Sequence, residues 1–316
     1  MLAWRGEKMT KDAYFVYIAN RIKTVLISFL LRPFEELALK NHEKQEHLIH
    51  GTSWDNLIIL DACRYDYFER EYDRFIEGEL RKVRSPASNT YTWLKRVFNK
   101  RHDVTVYGSH PVLNSLGIRR YGYTAQPHFK RIVDVWKWGW DKSLGTVPPG
   151  EVNKSVLADI KSGSFRGRNI IWYMQPHAPW IGETRLTEYS EGWDDKRHVY
   201  ELWKKIIRGE ISADILRQAY RDNLRLVLQN VSELIPYLDG KTIVTSDHGE
   251  LLGERGMFEH PRYSKLRALC EVPWLVVERR EKKTVEADLA PNLEQKTLSK
   301  DDREKVKERL MALGYL

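Results

Sequence analysis

The chain is short of the features that reveal function most directly. It has two cysteines in 316 residues, Cys63 and Cys270, too few for a disulfide framework. Both lie in or beside apolar runs and read as buried free thiols, which fits a reducing, cytoplasmic compartment. No stretch reaches the ~20 uninterrupted apolar residues that span a bilayer. The nearest, residues 14–34, is broken by Asn20, Arg21 and Lys23 and closed by Arg32-Pro33. No small-residue cleavage site follows it, as a signal peptide requires. The chain also lacks internal repeats, low-complexity runs and any nucleic-acid-binding motif. Its net charge of +8 therefore points to an anionic small molecule, glycan or lipid-linked substrate, or to an anionic surface, and not to nucleic acid. Segment 14–34 reads first as a helix packed on the domain. A basic amphipathic helix in peripheral contact with the inner face of a membrane is the second reading.

What is present is a core. A hydrophobic fraction of 42% over this length suits one large α/β domain or two small ones. Residues 1–50 are helical in pattern and form an N-terminal helical extension, with no glycine between Gly6 and Gly51. The catalytic core is expected over 51–280. Residues 281–316 read as a polar linker and a C-terminal helix packing on the core. Apolar, β-branched runs predict strands at 54–61, 104–107, 169–174, 241–246 and 272–277, with helices at 91–98, 152–161 and 213–237 between them. That alternation implies βαβ units. We expect a three-layer sandwich: a mostly parallel central sheet with helices on both faces and a ligand site at the strand carboxyl ends. The aromatic segment Trp136-Lys137-Trp138-Gly139-Trp140 reads as an irregular insertion able to stack on a sugar.

Four strand ends carry unusual polar residues. The run Thr242-Ile243-Val244-Thr245-Ser246 stops abruptly at Asp247-His248-Gly249-Glu250. Alone, this could be a turn, since Asp and Gly are ordinary turn residues. The run Ile58-Ile59-Leu60 stops likewise at Asp61, followed by Ala62-Cys63-Arg64-Tyr65-Asp66. Ser85, Ser88 and Thr90 precede a helical pattern, and His177 and His260 each sit beside a proline. Carboxylate and imidazole together suit a divalent cation, so Asp61, Asp247 and His248 are candidate metal ligands. A hydroxyl from the Ser88/Thr90 turn, bound to the same ion, would become a nucleophile. At a helix N-terminus it would also face backbone N–H groups suited to an anionic group.

These motifs, in this order, resemble the alkaline phosphatase superfamily and, within it, the sulfatase-like branch. The Asp61-Ala62-Cys63-Arg64-Tyr65-Asp66 run is similar to the opening sulfatase motif. Ser246-Asp247-His248-Gly249-Glu250 resembles the branch's most specific signature, and Gln175-Pro176-His177-Ala178-Pro179-Trp180 its substrate-side motif. The resemblance covers about 50–316. It implies an alkaline-phosphatase-like fold, with Asp61, Asp247 and His248 as metal ligands. His177 and His260 would contact the transferred or leaving group, and Arg64 would orient the Asp61 loop. No separate organic-cofactor site is implied. Departures from the family refine this. There is no Cys/Ser-x-Pro-x-Arg motif to become formylglycine, and Ala62 stands where a second acid is usual. One ion (Mn, Zn, Mg or Ca) is therefore expected instead of two, with His177 and His260 compensating. The nucleophile stays open among Ser88, Thr90 and Ser85. The expected function is metal-dependent hydrolysis or transfer of a phosphate ester or phosphodiester. The alternatives are a sulfatase acting on a sulfated glycan, and an inactive polyanion- or membrane-surface-binding protein of the same fold.

Overall fold

In the computed structural model, residues 11–119, 122–186 and 197–277 are described, with 283–284, 304–306 and 308–309. The chain begins with helices α1 (Lys11–Leu39) and α2 (Gln45–Gly51), then β1 (Asn56–Leu60), α3 (Tyr65–Glu71), β2 (Gly78–Arg84), α4 (Thr90–Val97) and β3 (His102–Gly108). It continues through β4 (Phe129–Val133), α5 (Val135–Trp138), α6 (Pro149–Lys161), β5 (Arg168–Tyr173), α7 (Arg197–Ile207) and α8 (Ala213–Leu234). The described core ends with β6 (Thr242–Ser246), a small hairpin of β7 (Leu251–Leu252) and β8 (Phe258–Glu259), then α9 (Arg267–Cys270) and β9 (Glu271–Val277).

Seven strands form one sheet in the order β2-β9-β6-β1-β5-β3-β4. Only β9 runs against the rest, pairing antiparallel with both β2 and β6. The connections through α6 and α8 step one way along the sheet, while the one through α4 steps the other. Right-handed crossovers then place these helices on opposite faces. Accordingly α6 packs on α8, and α4 packs on α2. Both faces of the sheet are covered, which is why β1 and β6 are buried at every position and read as continuous apolar runs. This is the α/β sandwich expected. The five anticipated strands are present. Both edge strands, β2 and β4, escaped notice because their burial is broken by exposed charged residues.

Three expectations change. Residues 1–50 are not all appended to the core: Leu48 and Ile49 of α2 belong to the main hydrophobic cluster, and Gln45 is fully buried. Its side chain donates to Thr245 Oγ1 and Ser246 O and accepts from Trp93 Nε1, tying α2 to β6 and α4. The tryptophan segment is only partly open, with Trp138 38% exposed. Trp136 is fully buried, and Arg309 lies over the Trp136 and Trp140 rings at 5.3 and 5.5 Å. It serves as a seat for the C-terminal segment. Finally, α1 over Tyr14–Leu39 is long and apolar enough to cross a membrane by length and composition. The three polar residues that break the run in sequence do not break the helix.

Cys63 and Cys270 are free and buried. Burial pushes the Cys63 thiol up and the Cys270 thiol to about 12. Such thiols report packing more than the redox state of the surroundings.

Candidate metal centre

Strand register decides the site. Leu60 at the end of β1 lies opposite Ser246 of β6 and Tyr173 of β5. The next residues, Asp61 and Asp247, therefore emerge side by side at the carboxyl edge of adjacent central strands. Both are fully buried. Asp61 Oδ2 accepts from Trp172 Nε1 at 3.2 Å, and Asp247 Oδ1 accepts from Ala62 N and His248 N at 3.1 and 2.9 Å. Their other oxygens, Asp61 Oδ1 and Asp247 Oδ2, have no hydrogen-bond partner.

His248 completes the group. Its Nδ1 lies 2.8 Å from Gly249 O. A carbonyl can only accept, so Nδ1 carries a proton, and in the neutral ring Nε2 presents a lone pair. Nε2 is 3.3 Å from Asp247 Oδ2 and 3.8 Å from Asp61 Oδ1. Three acceptor atoms thus face one another with water excluded. That arrangement is repulsive unless a proton or a cation lies among them. Burial first, and then the neighbouring Asp247 charge, raise the Asp61 carboxyl well above its ordinary value. A divalent ion would remove both penalties, and Asp61, Asp247 and His248 form a group with metal-competent spacing. Carboxylate oxygens with one imidazole fit a borderline or hard cation.

Gly249 has a specific task. A Cβ there would meet Ala268 O at 2.0 Å and Arg64 Cγ at 3.1 Å. The glycine lets β6's exit loop pass against the 266–270 turn, where Gly249 N donates to Leu269 O at 2.9 Å. Arg64 braces the same loops. It makes a two-pronged pair with Asp66 at 2.9 and 2.8 Å, bonds Glu250 O at 3.1 Å and contacts Glu254. As expected of a residue that orients the loop, its guanidinium is spent on protein groups.

The three candidate hydroxyls part company. Thr90 is the first residue of α4, which Asn89 caps by accepting from Thr92 N at 3.0 Å. Thr90 Oγ1 lies 3.3 Å from His248 Nε2. Ser88 Oγ points away, donating to Pro261 O at 2.7 Å and accepting from Ser264 N at 3.2 Å. Ser85 Oγ bonds Asp247 O and Ala87 O at 2.5 and 2.9 Å. Of the three, only Thr90 is brought to the ligand cluster; Ser88 and Ser85 hold loops.

His177 and His260 are also brought here. Their ring centroids are 5.1 Å apart, and His260 lies 4.6 Å from His248. The loop bearing His177 is clamped by Asn223 of α8, whose Nδ2 donates to Pro176 O, His177 O and Pro179 O at 3.1–3.3 Å. Gly182 allows that contact, since a Cβ would meet the Asp222 backbone at 2.6 Å. His260 Nδ1 lies 3.1 Å from both oxygens of Glu250. Burial pushes Glu250 up to about 7 and His260 well below its ordinary range. Both shifts disfavour the charged forms, so burial weakens this contact as an ion pair. Burial, followed by neighbouring His260, also pulls His177 down to about 4.

Residue-by-residue reading missed two members. Glu250 was visible inside the Asp-His-Gly-Glu run but carried no role; with His177 and His260 it forms a second group of metal-competent spacing. The expectation of one ion did not include this set. His110, fully buried in the loop after β3, gave no sequence signal. Its pKa is driven down by burial and then by His177, His248 and His260. It lies near these three imidazoles.

No protein-family model and no curated protein matches this sequence. Among solved structures, it is similar to the soluble domain of lipooligosaccharide phosphoethanolamine transferase A from Neisseria meningitidis, with 14% identity, 75% of this chain and 78% of that chain covered, and a TM-score of 0.46. Against the integral membrane form of that transferase the values are 13% identity, 80% of this chain and a TM-score of 0.45; the chain spans 54% of that protein's length. A protein of the alkaline phosphatase superfamily from Vibrio parahaemolyticus aligns at 11% identity over 73% of this chain and 63% of that one, with a TM-score of 0.37.

Proposed function

We propose that the protein is a metal-dependent hydrolase or transferase of phosphate esters or phosphodiesters, with Thr90 as nucleophile. One observation carries this reading. Asp61 Oδ1 and Asp247 Oδ2, neither with a hydrogen-bond partner, converge on His248 Nε2, and a helix-start hydroxyl stands 3.3 Å from the imidazole. An ion held by Asp61, Asp247 and His248 would lower the Thr90 hydroxyl's hold on its proton and offset charge on the phosphoryl oxygens.

The chain's own residues supply the rest. Thr90 Oγ forms the bond to phosphorus as the ester P–O bond breaks, leaving a phosphothreonine. The start of α4 favours an anion at this position. His260, with Nδ1 held by Glu250, would use Nε2 to carry the proton that Thr90 Oγ loses to the leaving oxygen, and His177 stands beside it. Water or an acceptor hydroxyl then attacks phosphorus and restores Thr90. With a further ion, His177, Glu250 and His260 would act as ligands instead, and the protein would be a two-ion enzyme. A plain threonine favours phosphoryl over sulfuryl transfer, because the formylglycine route has no residue to start from.

The test is turnover of an aryl phosphate, an aryl phosphodiester and an aryl sulfate after chelation and after readdition of Mn, Zn, Mg or Ca. We expect metal-restored turnover of a phosphate ester and a phosphothreonine at position 90 by mass spectrometry. Metal-independent turnover, or label on Ser88, would sink the reading.

A further inference from the structure

Helix α1 is built inside out. Its buried face carries Asn20, Thr24 and Ser28, with Tyr17 and Leu39 near its ends. Its exposed face carries Phe15, Ile22, Leu26, Phe29, Leu30, Phe34 and Leu37, at spacings of three, four and seven that make one stripe. Phe29 and Leu30 are 71% and 70% exposed, while Thr24 is 1% exposed. Nine of the twelve exposed large hydrophobics among the described residues lie on this helix.

The helix also lies along the domain. Asp12 pairs with Arg208 at 2.8 Å, and Glu35 accepts from Arg267 N at 2.8 Å. Between them Lys23 bonds Gly256 O at 3.2 Å and Ser28 meets Ser264 at 3.3 Å. These ties span about 35 Å of helix at 1.5 Å per residue. A helix tethered along that length cannot cross a bilayer without leaving the domain, but it can lie in the plane of one.

Beside its C-terminal half lies a cavity of about 780 Å3. Seven of its lining residues are Lys or Arg and two are Glu. Lys40, Lys44, Lys95 and Lys265 line it without an ion pair among the described residues. The floor is Ser85, whose hydroxyl is already bonded to the protein. None of its lining residues belongs to the two metal-competent groups, although Ser85 adjoins Asp247, and the mechanism above does not use it.

We propose that α1 docks flat on a membrane and that the basic cavity takes the phosphate of an anionic lipid headgroup from that surface. The apolar stripe supplies the lipid contact and the lysines supply the selectivity. Arg21, Lys23 and Arg32 lie on the same helix, where Lys23 bonds Gly256 O and Arg32 pairs with Glu36. Because the stripe and cavity share α1, the ligand is a lipid's phosphate and not a free one.

The test is flotation of the full chain with phosphatidylcholine vesicles and with vesicles that also contain phosphatidylglycerol. Wild type should float with the second, and high salt should weaken it. The exposed-stripe variant Leu26→Ser/Phe29→Ser/Leu30→Ser should lose at least about tenfold in binding with an unchanged melting temperature. The cavity variant Lys44→Ala/Lys95→Ala/Lys265→Ala should lose roughly a hundredfold in preference for anionic vesicles, about fivefold per lysine. Absence of flotation, an unaffected stripe variant, or an unchanged preference in the cavity variant would each overturn the proposal. So would a lipid-free dimer that the stripe variant makes monomeric. Glycerol phosphate that binds the cavity while vesicle binding ignores the cavity variant would move the ligand to a soluble ester, and overturns it too.

Discussion

The carboxyl edge of β6 and the outer face of α1 depart from ordinary burial in opposite directions. At β6 two carboxylates and an imidazole are fully enclosed, with Asp61 Oδ1 and Asp247 Oδ2 lacking hydrogen-bond partners. On α1 a row of phenylalanines and leucines faces outward while Asn20, Thr24 and Ser28 are covered. Buried unpaired charge costs several kcal/mol. An exposed Phe or Leu forgoes about 1.5–3 kcal/mol of burial. In both places the chain accepts a penalty that an outside partner would remove. The two penalties differ in kind: crowded carboxylate and imidazole atoms suit a cation, and an exposed apolar stripe suits the lipid surface we propose. The two regions touch, since α1 lies on the 256–267 segment that carries His260.

The comparison can be broken most sharply at Thr90. Thr90→Ala should lower turnover by on the order of a thousandfold or more, about 4 kcal/mol of barrier, while Thr90→Ser keeps a measurable rate. Steady-state hydrolysis of an aryl phosphodiester reads this. An equal loss in Ser88→Ala with Thr90→Ala active would move the nucleophile.

Next in size is the packing of the site's exit loop. Gly249→Ala forces a Cβ onto Ala268 O at 2.0 Å and should cost roughly 2–3 kcal/mol. Chemical denaturation checks it, and a loss below about 0.5 kcal/mol would show that the loop can shift.

A smaller effect comes from pH. Burial raises Glu250 and Glu259 to about 7 in the folded chain. A raised carboxyl contributes stability that is complete below its unfolded pKa and is lost as pH rises through 7. The lowered His177 works the other way, gaining up to its unfolded value of 6.5. Above about pH 6.5 only the carboxyls still titrate. The metal-free protein should therefore lose about 1–2 kcal/mol between about pH 6.5 and about pH 8. Added divalent cation should offset this increasingly across the same window, because ligands must be deprotonated to bind. Thermal melts with and without chelator test both halves; a flat metal-free profile would contradict the buried carboxyls.

The smallest expected effect is at the stripe. Phe29→Ser should change stability by no more than about 0.5 kcal/mol and leave turnover of a soluble phosphodiester unchanged. A loss of activity there would mean that α1 acts on the site through Glu259 and His260, and not only on a surface.

Much of this was legible in the chain itself. The period and length of the apolar runs located β1, β3, β5, β6 and β9, and the residues that end β1 and β6 announced Asp61, Asp247 and His248. Local chemistry was enough, because strand ends in open α/β sheets are where ligands bind. The edge strands were harder, since alternating charge weakens the apolar signal. Which hydroxyl lies beside His248 was not readable: Ser85, Ser88 and Thr90 lie within six residues of sequence, and the fold at the start of α4, capped by Asn89, sets Thr90 there.

By itself, then, the sequence determined the α/β class, the central strands and the identity of the metal-competent residues, because these follow from local periodicity and side-chain chemistry. Tertiary structure decided the rest. The register of β1 against β6 set Asp61 beside Asp247, long-range packing brought His110 near the other imidazoles, and the ties from α1 to the 256–267 segment determined which face of that helix looks outward. Each of these depends on residues far apart in the chain, whose encounter no local pattern encodes.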